Sequence, residues 1–168
     1  MKFSFILLIL LLRITAQAEN NSNWDSTKNN TKHVFPNSLG WVSDFENILS
    51  CKQEKKLSKI VKKFEKKTSN EIVIVTIESI LPYDNLADFT TDLFNQWGTG
   101  KAGKDNGLVI VFSQARREVR VGTGYGTEKI LTDIICKNII DNNMIPYFKK
   151  QNYYKGLKSG IKELISNW

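Results

Sequence analysis

Three observations predict an α/β fold, a three-layer α/β/α sandwich around a small mixed sheet. First, EIVIVTIE at residues 71–78 is a nearly unbroken β-branched run of strand length. A strand apolar on both faces is a central one, covered on both sides. Second, another apolar run at residues 107–112 follows a segment of helical period, so strand, helix and strand make a right-handed βαβ unit with parallel strands. Third, EVRVGTG comes after only Ser-Gln-Ala-Arg-Arg, a link too short to cross the sheet. That strand therefore pairs antiparallel with its neighbour.

The flanking elements follow from local signals. Ser50 and Gln53 stand as N-cap and N3 of a capping box. Behind them Leu57, Ile60, Val61 and Phe64 form an apolar stripe at helical spacing, which predicts a helix ending near 68–70. Asp84-Asn85 caps a second helix carrying Leu86, Phe89, Leu93, Phe94 and Trp97, and Gly98 and Gly100 stop it. A third helix begins near 129–132 and uses Leu131, Ile134, Ile135 and Ile139, with an interruption around Pro146. The last runs over about 153–166 on Leu157, Ile161 and Leu164. Trp41 to Phe45, with Ile48 and Leu49, opens the folded part.

At 168 residues and 19.2 kDa the chain has room for one domain with a proper core. Residues 1–18 read as a cleaved signal peptide: Lys2, an apolar run from Phe3 to Leu12, then Ala16-Gln17-Ala18. The run is too short to span a bilayer, which takes about 20 apolar residues. Residues 19–40 are polar and read as a linker, leaving 41–168 as the domain. The expectation is an exported chain, periplasmic or secreted, with no transmembrane anchor in its mature form.

Loss of Lys2 and Arg13 takes the 24 basic residues to 22 against 17 acidic ones, and the net charge from +7 to +5. Much of the excess sits in KQEKKLSKIVKKFEKK, residues 52–67, either as a solvated helix face or as a contact for an anionic partner. No nucleic-acid-binding module is recognisable. Cys51 and Cys136 would meet an oxidising compartment and are open to pairing, but they do not form a metal-ligand pair. His33 is the only histidine, which argues against a Ser-His-Asp triad or a histidine-rich zinc site.

Strand direction has a functional consequence. The glycine-rich loop entering the second strand (98–106) and the one leaving the third (122–126) must lie at one end of the sheet. Asp105, Asn106, Glu128 and Asp133 sit at or near these loops. Oxygen donors beside glycine bends suit a hard cation, and the same residues equally suit helix capping and loop bracing.

Several motifs in order carry a resemblance: Val42-Ser43-Asp44 with Leu49-Ser50, WGTGKAGKDNG, Val119-Arg120-Val121 leading into GTGYGTE, Leu131-Thr132-Asp133, Ile145-Pro146-Tyr147-Phe148, and Tyr154-x-Gly156-Leu157. The chain resembles the TPM-domain family, which takes in thylakoid-lumen acid phosphatase-like proteins, photosystem repair proteins, a nematode receptor-associated protein and exported bacterial proteins. The resemblance implies an α/β/α sandwich with a divalent-cation or phosphate-ester site among the acidic loops. By motif match the ligands are Asp105 and Asn106, Glu128, Asp133 and, from the opening V-x-D, Asp44. Calcium is the first expectation and magnesium the second. Two functions follow. One is a cation-dependent phosphatase with Asp105 and Asp133 as catalytic carboxylates. The other is a non-catalytic calcium-binding module that supports an integral membrane protein or complex.

Overall fold

The computed structural model describes residues 35–168, so the leader over 1–18 and the linker as far as residue 34 lie outside the described residues. The order is β1 (Val42–Asp44), α1 (Cys51–Thr68), β2 (Glu71–Thr76), α2 (Leu86–Trp97), β3 (Gly107–Ser113) and β4 (Glu118–Thr123). Four further helices follow: α3 (Tyr125–Glu128), α4 (Asp133–Ile139), α5 (Ile145–Phe148) and α6 (Tyr153–Asn167), with a π-helical segment, Ile140–Met144, between α4 and α5. The sheet runs β1-β2-β3-β4, with β1, β2 and β3 parallel and β4 antiparallel to β3. One register line crosses it as Asp44, Thr76, Phe112 and Val119.

Successive side chains of a strand point to opposite faces, and the two central strands use both for core. Ile72, Ile74, Leu108 and Ile110 pack with Leu57 and Val61 of α1, Ile139 of α4, and Leu157 and Ile161 of α6. Val73, Val75, Val109 and Val111 face Leu86, Phe89 and Leu93 of α2. These are the three layers the apolar runs predict.

The capping box forms as expected. The Ser50 hydroxyl accepts from Gln53 N–H, the Gln53 side chain accepts from Ser50 N–H, and Ser69 closes the helix in the left-handed region. Asn85 caps α2 through Asp88 N–H.

The structure adds two features to the expected fold. Residues 42–44 form a strand beside β2, although only three residues long. The folded part also begins before 41: Phe35 is buried against Phe89 and Tyr83, and the Trp97 indole donates to Pro36 O at 3.1 Å. The bulk of aromatic burial outweighs the polar composition around it.

Candidate functional site

The two glycine loops meet at the end of the sheet where β2 and β3 begin, and backbone contacts weld them. Gly124 N–H donates to Gly107 O at 3.0 Å, and Thr127 Oγ1 donates to the same carbonyl at 3.0 Å. Asp105 O accepts from Gly126 N–H at 3.0 Å and from Thr127 N–H at 3.3 Å. So close an approach requires glycine at two positions. A Cβ on Gly124 would stand 2.3 Å from Asp105 O, and one on Gly126 2.2 Å from Lys104 O. Asp105 itself holds φ +49, a left-handed conformation that aspartate tolerates better than most residues.

Asn106 braces the first loop. Its Oδ1 accepts from Lys101 N–H at 2.9 Å, and its Nδ2 donates to Ser69 O and Asn70 Oδ1. Lys101 then folds back onto Glu65 at 2.7 Å and reaches Glu71 at 3.6 Å. That hydrogen bond from Lys101, aided by the Trp41 indole, holds the Glu65 carboxyl below the usual carboxylate range, and Glu65 raises Lys101 in turn.

Beside the weld lies a cavity of about 600 Å³ lined by Thr91, Phe94, Lys101, Asp105, Gly122 and Tyr125, among others. Tyr125 is 80% exposed and stands at its rim. The carboxylates of Asp105, Glu128 and Asp133 are exposed and carry no hydrogen bond or ion pair among the described residues. Asp133 opens α4 behind its N-cap Thr132.

Asp44 stands apart from the other four candidates. It ends β1 at the opposite edge of the register, and its carboxylate accepts from Ile48 N–H at 3.2 Å, Leu49 N–H at 2.7 Å and the Thr76 hydroxyl. It is 8% exposed and closes the turn into α1. Among the described residues no group of three or more His, Cys, Asp or Glu side chains is arranged to hold a metal ion. The donors that remain are oxygens, the type calcium takes, and with six to eight ligands its shell accepts loop carbonyls and water alongside one or two carboxylates.

Neither cysteine supplies a nucleophile to the cavity. Burial, with the Asp133 charge second, pushes the Cys136 thiol up to about 11, and Cys51 opens α1 at the other end of the sheet; both are free thiols. Sequence reasoning assigned no role to Lys101, Phe94 or Tyr125. Lys101 and Tyr125 stand inside the W-G-x-G-K and G-Y-G segments, and that placement was the available signal. Phe94 read only as a core position of α2.

A three-layer α/β/α domain whose glycine loops are locked together beside a cavity lined in part by Asp105 is the class of protein defined here. Residues 42–167 match the family model for the TPM domain, and the chain belongs to that family. It is similar to the N-terminal domain of a Porphyromonas gingivalis protein solved by NMR, at 36% identity and a TM-score of 0.69 over 75% of this chain and 80% of that one. The BA42 protein of the psychrophilic bacterium Bizionia argentinensis shares the fold at 21% identity and a TM-score of 0.64, over 73% and 83% of the two chains. So does the N-terminal domain of a Corynebacterium glutamicum protein, at 14% and 0.60, over 80% and 86%. No curated protein matches the chain. No helix among the described residues is long and apolar enough to cross a membrane.

Proposed function

We propose that the chain is an exported, non-catalytic binding module that takes a divalent cation, calcium first, at its glycine-loop end and supports a membrane protein complex there. The observation that carries this is Asp105. Its backbone is held in a left-handed conformation with its carbonyl occupied by two N–H groups, while its carboxylate stays free at the rim of the cavity. Non-glycine residues in that region persist where the surrounding structure over-determines them, and ligand sites are among those places. Asp105 with Glu128 or Asp133 supplies the carboxylates, and loop carbonyls and water complete the shell.

Phosphate monoester hydrolysis asks more of these residues. A bound cation would polarise a phosphoryl oxygen and acidify a bound water, which leaves this chain to position the ester and move a proton. Lys101 is the cation nearest that task, and it is already turned onto Glu65 and Glu71. Binding alone requires no such group, so it is the reading these residues support better.

Calorimetric titration with calcium and magnesium chloride, beside p-nitrophenyl phosphate turnover from acid to neutral pH, tests the reading. Wild type is expected to bind calcium with a Kd of about 10⁻⁴ to 10⁻³ M, the range of extracellular modules. Asp105→Asn should weaken binding at least tenfold, with no turnover in either protein. Turnover that disappears in Asp133→Asn makes the chain a hydrolase. No heat from either ion returns the three carboxylates to solvated loop positions.

A further inference from the structure

The outward side of α1 is a continuous field of lysine. At 100° per residue, Lys52, Lys55, Lys59, Lys62 and Lys66 form one row, and Lys56, Lys63 and Lys67 the row beside it. Together they fill an arc of about 140° over about 22 Å of helix. All eight are exposed, and every position in that arc is lysine. The two acidic residues of the helix, Glu54 and Glu65, fall on the opposite side, where Glu65 is held by Lys101 and the Trp41 indole. Lys62 lies over the Trp41 ring at 4.9 Å. The other seven have no ion pair, hydrogen bond or ring partner among the described residues.

This arrangement costs stability in the isolated domain. Exposed helix faces ordinarily mix signs, because Glu and Lys three or four apart attract and like charges at that spacing repel by similar amounts. Here Lys52/Lys56, Lys55/Lys59, Lys59/Lys63, Lys62/Lys66 and Lys63/Lys67 all repel. These neighbours lie about 5–6 Å apart, inside the roughly 8 Å Debye length at physiological salt. Lys52 in the first turn opposes the positive end of the helix dipole, while Lys66 and Lys67 in the last turn complement its negative end, so the repulsion between neighbours is the cost that remains. A counter-charge outside the chain removes every one of these penalties.

We propose that this face of α1 docks on an anionic lipid surface. The composition of the arc selects that occupant. It holds no arginine, the residue suited to bidentate recognition of a fixed phosphate, and no aromatic ring on which a base would stack. It also lacks the aromatic or arginine anchors that carry protein interfaces. Point charges spread along a straight rod match headgroups that rearrange laterally, and each lysine near such a surface adds to the attraction.

The test is co-sedimentation of residues 35–168, which hold both apolar cores and all four strands, with vesicles. The apolar run at 3–12 is left out because it would partition unaided. Vesicles of about 30 mol% phosphatidylglycerol in phosphatidylcholine are compared with phosphatidylcholine alone, in about 20 and about 300 mM NaCl. One variant combines Lys55→Glu, Lys59→Glu, Lys62→Glu and Lys66→Glu. A control of equal net charge combines Lys104→Glu, Lys129→Glu, Lys149→Glu and Lys150→Glu, all exposed sites off α1. Wild type is expected to bind only the anionic vesicles and to leave them at high salt. The arc variant should lose at least tenfold in partitioning and the control less than threefold. Equal losses, or no binding at low salt, overturn the proposal. Tighter binding to polyglutamate than to vesicles at matched charge overturns it in favour of an acidic protein partner.

Discussion

The two ends of the sheet treat their loop carboxylates differently. Where the parallel strands finish, Asp44 accepts from two backbone N–H groups and a hydroxyl, and Glu46 accepts from Gln114 and Ala115 N–H on the β3–β4 link. Both carboxylates tie loops together. Where β2 and β3 begin, the tying is done by the backbone carbonyls of Asp105 and Gly107, the Asn106 amide and the Glu71 carboxylate, which accepts from Gly100 N–H at 3.0 Å, and Asp105, Glu128 and Asp133 keep theirs free. A carboxylate that braces and one that is left exposed are the same chemical group. What separates them is whether another group already holds the loop.

The largest expected effect comes from removing a bracing carboxylate. Asp44→Ala leaves Ile48 N–H, Leu49 N–H and the Thr76 hydroxyl without their acceptor, and is expected to cost about 3 kcal/mol. Urea denaturation reads it as a lower midpoint at unchanged slope. Calcium affinity in the folded fraction should be unchanged, and a lost calcium signal in folded Asp44→Ala would break the distinction between the ends.

Next comes the glycine weld. Gly126→Ala drives a Cβ into the Lys104 carbonyl, backbone that yields only by shifting the loop. About 2 kcal/mol of stability should be lost, and calcium affinity with it, since Asp105 moves. Asp105→Asn, by contrast, should lose affinity while stability stays within about 0.5 kcal/mol, as exposed substitutions do. Equal stability losses in these two variants would make Asp105 a brace.

The smallest effect is the sharpest in sign. Burial holds the Glu46 carboxyl above its ordinary value, against the pull of its backbone donors, whereas Lys101 holds Glu65 below it. For Glu46 the folded state binds its proton more tightly, so its contribution is present below the unfolded pKa and lost as pH rises through the raised folded value. For Glu65 the contribution is present above the unfolded pKa and lost as pH falls through the lowered one. Glu46→Gln should therefore gain stability relative to wild type as pH rises past that window. Glu65→Gln should lose it at neutral pH and converge with wild type in acid. Each difference is under about 1 kcal/mol, because solvent screens both sites. Denaturant midpoints across the acid range give the two slopes, and slopes of the same sign would contradict this account.

Much of this was legible in the chain. The Ser50/Gln53 box, the Asn85 cap, the two central strands and the antiparallel return all formed where local signals put them. Periodicity and capping are properties of neighbouring residues, and the link between β3 and β4 is too short to allow another direction. From direction alone the sequence also brought both glycine loops to one end. What it did not disclose was that β1 is a strand, that Phe35 belongs to the core, and which acidic residues were already engaged. Three residues carry too little pattern to announce a strand, and β1 exists because β2 offers it an edge. Asp44 meets the Thr76 hydroxyl 32 positions away, and Glu46 meets Gln114 N–H 68 positions away. Composition determined that this chain has carboxylates beside glycine bends. Only the packing of distant segments decided which of them hold the fold and which are left exposed, because a hydrogen bond is satisfied by whatever donor the tertiary structure brings within about 3 Å.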